Sequence, residues 1–180
     1  MAKINDFQLK GVKMFQGRDG CGVNANLYYK GKKVAFVLDE GCGGMLDIDY
    51  IYVDHSKREE ISKEIEKEAR EYYKRNPKHL LNPKMQILDL VEDLLKLNYL
   101  EKVYKKELKK GYNATFELKY YNNKASLEEI CKSKRDIIIS CNTKDSVKTA
   151  EFLKKEHSES NDPVRVVNIY DSLESFSVKR

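Results

Sequence analysis

Up to about residue 54, apolar and polar positions alternate; from 55 to 110 apolar residues recur at intervals of three and four, so strands precede helices along the chain. A first strand is expected from Phe7 to Phe15, where Phe7, Leu9 and Gly11 alternate with polar neighbours. A second covers Val23 to Tyr29, and the short Lys30-Gly31-Lys32 link turns it into a third over Val34 to Leu38. The alternating segment Leu46 to Val53 predicts a fourth strand and completes a β-meander.

Ser56 stands where a helix N-cap is wanted, and Glu59 and Glu60 follow in the first turn. Ile61, Ile65, Ala69 and Tyr72 then carry a solvent-facing amphipathic helix to about Arg75, where Asn76-Pro77 ends it. Asn82-Pro83 opens a second helix marked by Met85, Leu88, Val91, Leu94, Leu95, Leu100, Val103 and Tyr104. That helix either runs to Lys110 or breaks near Asn98, with Gly111 as its C-cap. The rest reads strand, helix, strand, helix, strand: Ala114 to Tyr121, Ser126 to Lys132, Asp136 to Cys141, Lys144 to Glu156 and Pro163 to Tyr170. Helical crossovers of this kind favour parallel pairing.

These elements predict an α+β fold: an antiparallel meander over 1–54, a helical segment over 55–110 and a β-α-β-α-β segment over 111–180, packed as one compact domain. Composition agrees, since eight of the nine glycines precede residue 45 and the remainder is rich in Lys and Glu. A hydrophobic share of 41% beside 35% charged residues marks a folded, polar-surfaced protein. The longest apolar runs, such as Ile137-Ile138-Ile139, are far too short for a membrane span, and MAKINDFQLK lacks a secretory signal's apolar stretch. A cytoplasmic protein without membrane contact is therefore expected, with Cys21, Cys42, Cys131 and Cys141 as free thiols.

The net charge of +5 is a mild excess that favours acidic partners. Lys102, Lys105, Lys106, Lys109 and Lys110 concentrate it at one helix end, with Tyr104 and Tyr112 nearby, a candidate surface for nucleic-acid phosphates and bases. Lysines also suit a helix C-terminus for dipole reasons alone.

Two glycine loops invite a chemical reading. Gly17-Arg18-Asp19-Gly20-Cys21-Gly22 resembles a phosphate cradle, but a strand follows it where a P-loop or dinucleotide fingerprint needs a helix, so a structural turn is expected. The second, Asp39 to Gly44, lies beside Asp47 and Asp49, and convergence of Asp39, Asp47 and Asp49 would suit Mg²⁺ and phosphoryl chemistry. The plainer reading is a solvated acidic face with no metal. His55, His79 and His157 stand alone, outside any zinc spacing, and no cofactor or catalytic set is expected.

Residues 9 to 50 resemble an N-terminal module of small proteins carried by phages and other mobile elements of bacteria. The matching features are the GVKMF opening, the GRDGCGVNANLYY turn and strand, the KGKKVAFV hairpin and the DEGCGG loop. Some anti-CRISPR inhibitors of the type II effector nuclease are similar in size and make-up. The resemblance implies a non-enzymatic inhibitor of bacterial immunity that binds a CRISPR effector nuclease or its guide-RNA complex. Arg18, Tyr28, Tyr29, Tyr50 and Tyr52 are the side chains expected to dominate such binding. The readings that stand beside it are a basic nucleic-acid-binding protein and a metal-dependent hydrolase.

Overall fold

A computed structural model describes residues 1–52, 54–74, 86–120, 137–158 and 164–178. Expectations placed on Val53, Arg75, Asn76-Pro77, His79, Asn82-Pro83, Met85, Tyr121, the Ser126 to Lys132 helix, Cys131, Asp136 and Pro163 lie outside the described residues. The protein has an α+β fold, divided into two compact units, Met1–Tyr99 with Ser177–Arg180 and Leu100–Phe176.

The first unit is built on a six-stranded sheet. Its strands are β1 (Lys3–Ile4), β2 (Phe7–Gln16), β3 (Cys21–Tyr29), β4 (Lys32–Asp39), β5 (Asp47–Tyr50) and, from the chain's end, β9 (Ser177–Val178). The order is β5-β4-β3-β2-β1-β9, antiparallel except for β1 with β9. The expected hairpin closes through Lys30 and Gly31, whose φ angles of 49° and 78° give the left-handed pair that a two-residue turn requires. β5 is shorter than the expected Leu46 to Val53 strand, although Ile51 still donates its N–H to the Val34 carbonyl.

Two irregularities set which side chains face inward. Between Lys10 and Lys13 an extra residue enters β2, with Gly11 at φ 65°, and shifts the register so that Lys10 and Lys13 fall on the same face. Between Leu27 and Tyr28 the register shifts again, so that Val34 and Ala35 are both buried. The buried face holds Phe7, Leu9, Ala25, Leu27, Tyr29, Ala35 and Val37.

Helix α1 (His55–Lys74) places Ile65, Ala69 and Tyr72 on one buried stripe, as the three-and-four spacing predicts. Burying a side chain such as Ile65 contributes about 1.5–3 kcal/mol. Its N-cap corrects the expectation of Ser56. The Asp54 carboxylate accepts the Ser56 and Lys57 N–H groups at 2.9 and 3.4 Å, because Asp54 precedes the first helical residue and Ser56 already lies inside the helix. Salt bridges Lys63–Glu59 and Arg70–Glu66 line the outer face.

Helix α2 (Gln86–Leu108) runs through Asn98 without a break, and the buried Asn98 amide is satisfied by donating to the Leu94 carbonyl four residues back at 2.9 Å. It ends in a Schellman turn. Gly111, at φ 94°, donates to the Leu108 carbonyl and Tyr112 to that of Glu107, as a glycine C-cap requires.

The second unit contains β6 (Ala114–Tyr120), β7 (Ile137–Cys141), α3 (Ser146–Glu156) and β8 (Val164–Tyr170). Ala114, Phe116 and Leu118 pack against Ala150 and Leu153 of α3. Asp145 caps α3 by accepting the Lys148 N–H, and His157 closes it. The expectation of parallel neighbours is corrected: the order is β7-β6-β8, and β6 is antiparallel to both others. β7 and β8, joined through α3, do run in the same direction, but β6 sits between them and takes both sets of ladder hydrogen bonds.

Candidate functional site

The meander's solvent face carries an ordered pattern that strand register creates. One cross-strand row aligns Lys10, Asn26, Phe36 and Asp49; the next aligns Lys13, Asn24, Leu38 and Asp47. Residues in register share a face. The sheet therefore presents, from β2 to β5, two lysines, two amides, two apolar side chains and two carboxylates. Phe36 is 36% exposed at the centre of this pattern. The Lys10 ammonium lies 4.2 Å from the centre of the Tyr28 ring, a cation–π contact on the same face.

The residues singled out for partner contact separate accordingly. Tyr28 lies on the solvent face and is half-buried. Tyr29 is only 3% exposed, stacks on Phe7 at 4.8 Å and donates its hydroxyl to Glu64 at 3.1 Å, so its ring belongs to the core. Burial pushes its phenol upward in pKa. Lys30 bonds the same Glu64 carboxylate at 2.7 Å; that bond raises the ammonium pKa and lowers the carboxyl pKa. Tyr50 also faces α1, near Ser62 and Glu66, and burial raises its pKa. Tyr52 follows β5 and is half-buried, whereas Arg18 is exposed in the first glycine loop.

The two glycine loops meet at one end of the sheet. Asp19 donates its N–H to the Gly41 carbonyl at 2.8 Å, and a Cβ on Gly17 would stand 2.4 Å from the Glu40 carbonyl oxygen. The Gly17 N–H is taken by the Gly20 carbonyl and the Gly41 N–H by the Asp39 carboxylate. The Asp19 amide joins the two loops and the Gly17 and Gly41 amides close each loop on itself, which makes the structural turn the better description. Exposed apolar side chains flank the loops along the chain: Met14 and Phe15 before the first are 63% and 38% exposed, and Met45 after the second is 66% exposed.

The carboxylates have separate tasks. Asp39 holds the Gly41 amide, Asp49 reaches Arg58 at 3.5 Å, and Asp47 points to solvent from β5. Among the described residues, no three His, Cys, Asp or Glu side chains come together as a metal site. Cys21 and Cys42 are free and exposed, and Cys141 is half-buried with its thiol pKa raised by burial.

At the other candidate surface, Lys102, Lys105, Lys106, Lys109 and Lys110 are all exposed. Lys105 pairs with the buried Glu101 at 2.6 Å and Lys110 with Glu107 at 2.8 Å. Tyr104 is buried, tilted against Phe176 at 5.6 Å, and is not offered beside the lysines.

Sequence reasoning missed Phe36, Asn24, Asn26, Lys10 and Lys13. Strand alternation could have placed Phe36 opposite to Ala35 and Val37, but the rows arise only from the pairing register. No family model, curated protein or solved structure matches the chain. Among the described residues no helix is long and apolar enough to cross a membrane.

Proposed function

We propose that the protein is a non-enzymatic binding protein that contacts another macromolecule through the solvent face and glycine-loop end of the six-stranded sheet. The observation that carries this reading is the aligned Lys–Asn–Phe–Asp and Lys–Asn–Leu–Asp rows. They set the exposed Phe36 between lysines and carboxylates on one face, while Arg18 in the first glycine loop and Met45 just after the second are exposed at a sheet end whose backbone is fixed by glycine contacts. Aromatic, methionine and arginine side chains are the ones enriched at the centres of protein interfaces. A face positive along β2 and negative along β5 also orients a partner of complementary charge.

The resemblance of residues 9 to 50 to mobile-element modules supports a specific partner: a type II CRISPR effector nuclease or its guide-RNA complex, met in the bacterial cytoplasm. Occupying a surface of such a nuclease needs a preformed face and no reacting residues. The test is a cleavage assay with guide-loaded effector nucleases and increasing amounts of the protein, with co-elution on a sizing column. Inhibition with co-elution is expected, and inhibition is lost in Phe36→Ser. Cleavage unaffected by a large excess of the protein across the effectors tried would contradict the partner.

A further inference from the structure

The lysines at the end of α2 gain a companion that lies far away in sequence. Asn113, just past the Schellman turn, donates its side-chain amide to the Thr143 carbonyl at 2.8 Å and accepts the Thr143 N–H at 2.9 Å. This double bond clamps the end of α2 to the loop before α3, and so sets the exposed Lys144 beside that end. Within α2, Lys102 and Lys106 are four residues apart, and Lys109 follows three later in the turn, which puts the three on one side.

Charge bookkeeping around the clamp leaves a surplus of cations. Glu101, Glu107 and Asp145 each have a lysine of their own: Lys105, Lys110 and Lys148. Lys102, Lys106, Lys109 and Lys144 make no ion pair among the described residues. Tyr112 lies in the turn between the two basic segments and is 39% exposed. Helix-dipole stabilisation accounts for lysines in the last turn of α2 but not for Lys144, which precedes the N-terminus of α3, where a cation opposes the dipole.

We propose that this patch binds single-stranded nucleic acid, with Lys102, Lys106, Lys109 and Lys144 against phosphates and Tyr112 stacked on a base. The combination fits the chemistry of a flexible polyanion whose bases are unpaired: separated ammonium groups follow its backbone, and an exposed ring has a π-face to pair with. A duplex hides its base faces, so Tyr112 contributes only for a single strand. The proposal does not depend on the sheet-face reading, because every residue in it belongs to the second unit.

The experiment is fluorescence anisotropy of the full chain with labelled oligothymidine and oligouridine strands and with a duplex of matching length, across a salt series. Tighter binding of single strand than of duplex is expected. Lys109→Gln and Lys144→Gln should each lower the slope of log affinity against log salt by roughly 0.7. Tyr112→Ala should weaken single-strand binding by roughly 5- to 150-fold at constant charge. No binding at low salt overturns the proposal. Equal binding of strand and duplex, unchanged by Tyr112→Ala, reduces the patch to unspecific polyanion attraction, and an effect of Lys109→Gln without one of Lys144→Gln removes the clamped patch. Failure to inhibit a nuclease alongside retained strand binding would overturn only the function proposed above.

Discussion

A Cβ on Gly41 would stand 2.6 Å from the backbone nitrogen of Gly22, so these two glycines meet at a separation that no side chain permits. Gly41 also has a φ of 67°, in the left-handed region. Gly41→Ala is therefore expected to destabilise the first unit by about 3 kcal/mol, combining backbone strain with overpacking. Gly44→Ala, with open space around it, should change stability by less than about 0.5 kcal/mol. Urea denaturation of both variants checks the contrast.

Gly31 provides an intermediate case. Its φ of 78° is left-handed, but nothing surrounds it. Gly31→Ala should cost about 1–2 kcal/mol, all of it conformational. Gly31→Asn should recover part of that loss, because Asn tolerates the left-handed region.

How far the sequence reveals the fold depends on how local each cause is. The Lys30-Gly31 turn and the Gly111 cap were legible because each is decided by a few adjacent residues. Strands β1 and β9 were not: two residues each, paired across the length of the chain, they leave no periodic signal. The order β7-β6-β8 was misread because crossover logic gives the direction of β7 and β8 but not the strand inserted between them. On the proposed contact surface, Arg18 is exposed in its loop and Tyr28 is half-buried on the solvent side, both positions that strand alternation and the glycine turn allow. Tyr29 was grouped with them although alternation turns it toward Phe7, and the Lys–Asn–Phe–Asp rows depend on bulges that no single strand displays.

Glu64 links α1 to the hairpin through Lys30 and Tyr29, and its carboxyl pKa is lowered chiefly by the Lys30 hydrogen bond. The folded state thus binds the Glu64 proton less readily than the unfolded chain does. Its stabilising effect is fully present above the ordinary carboxyl value and is lost as the pH falls through the lowered one. Glu64→Gln should therefore flatten this part of the acid-side decline, measured by urea midpoints from neutral to acid pH. The effect is small, because the pair is solvent-exposed.

In the second unit the Glu117 carboxylate is 1% exposed and accepts the Asn168 amide at 2.7 Å and the Tyr170 hydroxyl at 3.3 Å. Asn168→Ala takes a hydrogen-bond donor from a buried carboxyl group and is expected to destabilise by about 1–3 kcal/mol. Tyr170→Phe should cost less, since its bond is longer and its ring keeps the stacking on Phe176 at 4.8 Å. Thermal and urea unfolding of the two variants would establish the ranking.

The thiols should differ in reactivity. Cys21 and Cys42 are exposed, while Cys141 is half-buried and burial raises its pKa, which lowers its thiolate fraction at neutral pH. Site-resolved mass spectrometry after brief maleimide treatment should show Cys21 and Cys42 labelled well ahead of Cys141.

Site-specific photo-crosslinking in bacterial cells asks most directly whether the solvent face of the meander is the working surface. A photoreactive phenylalanine analogue replaces Phe36 in one experiment and Phe152, exposed on α3, in another. One dominant protein adduct from position 36, absent from position 152 and lost when Asp49→Lys is added, is the expected result. Adducts from position 152 alone, or none from position 36 in cells that hold the partner, would contradict it.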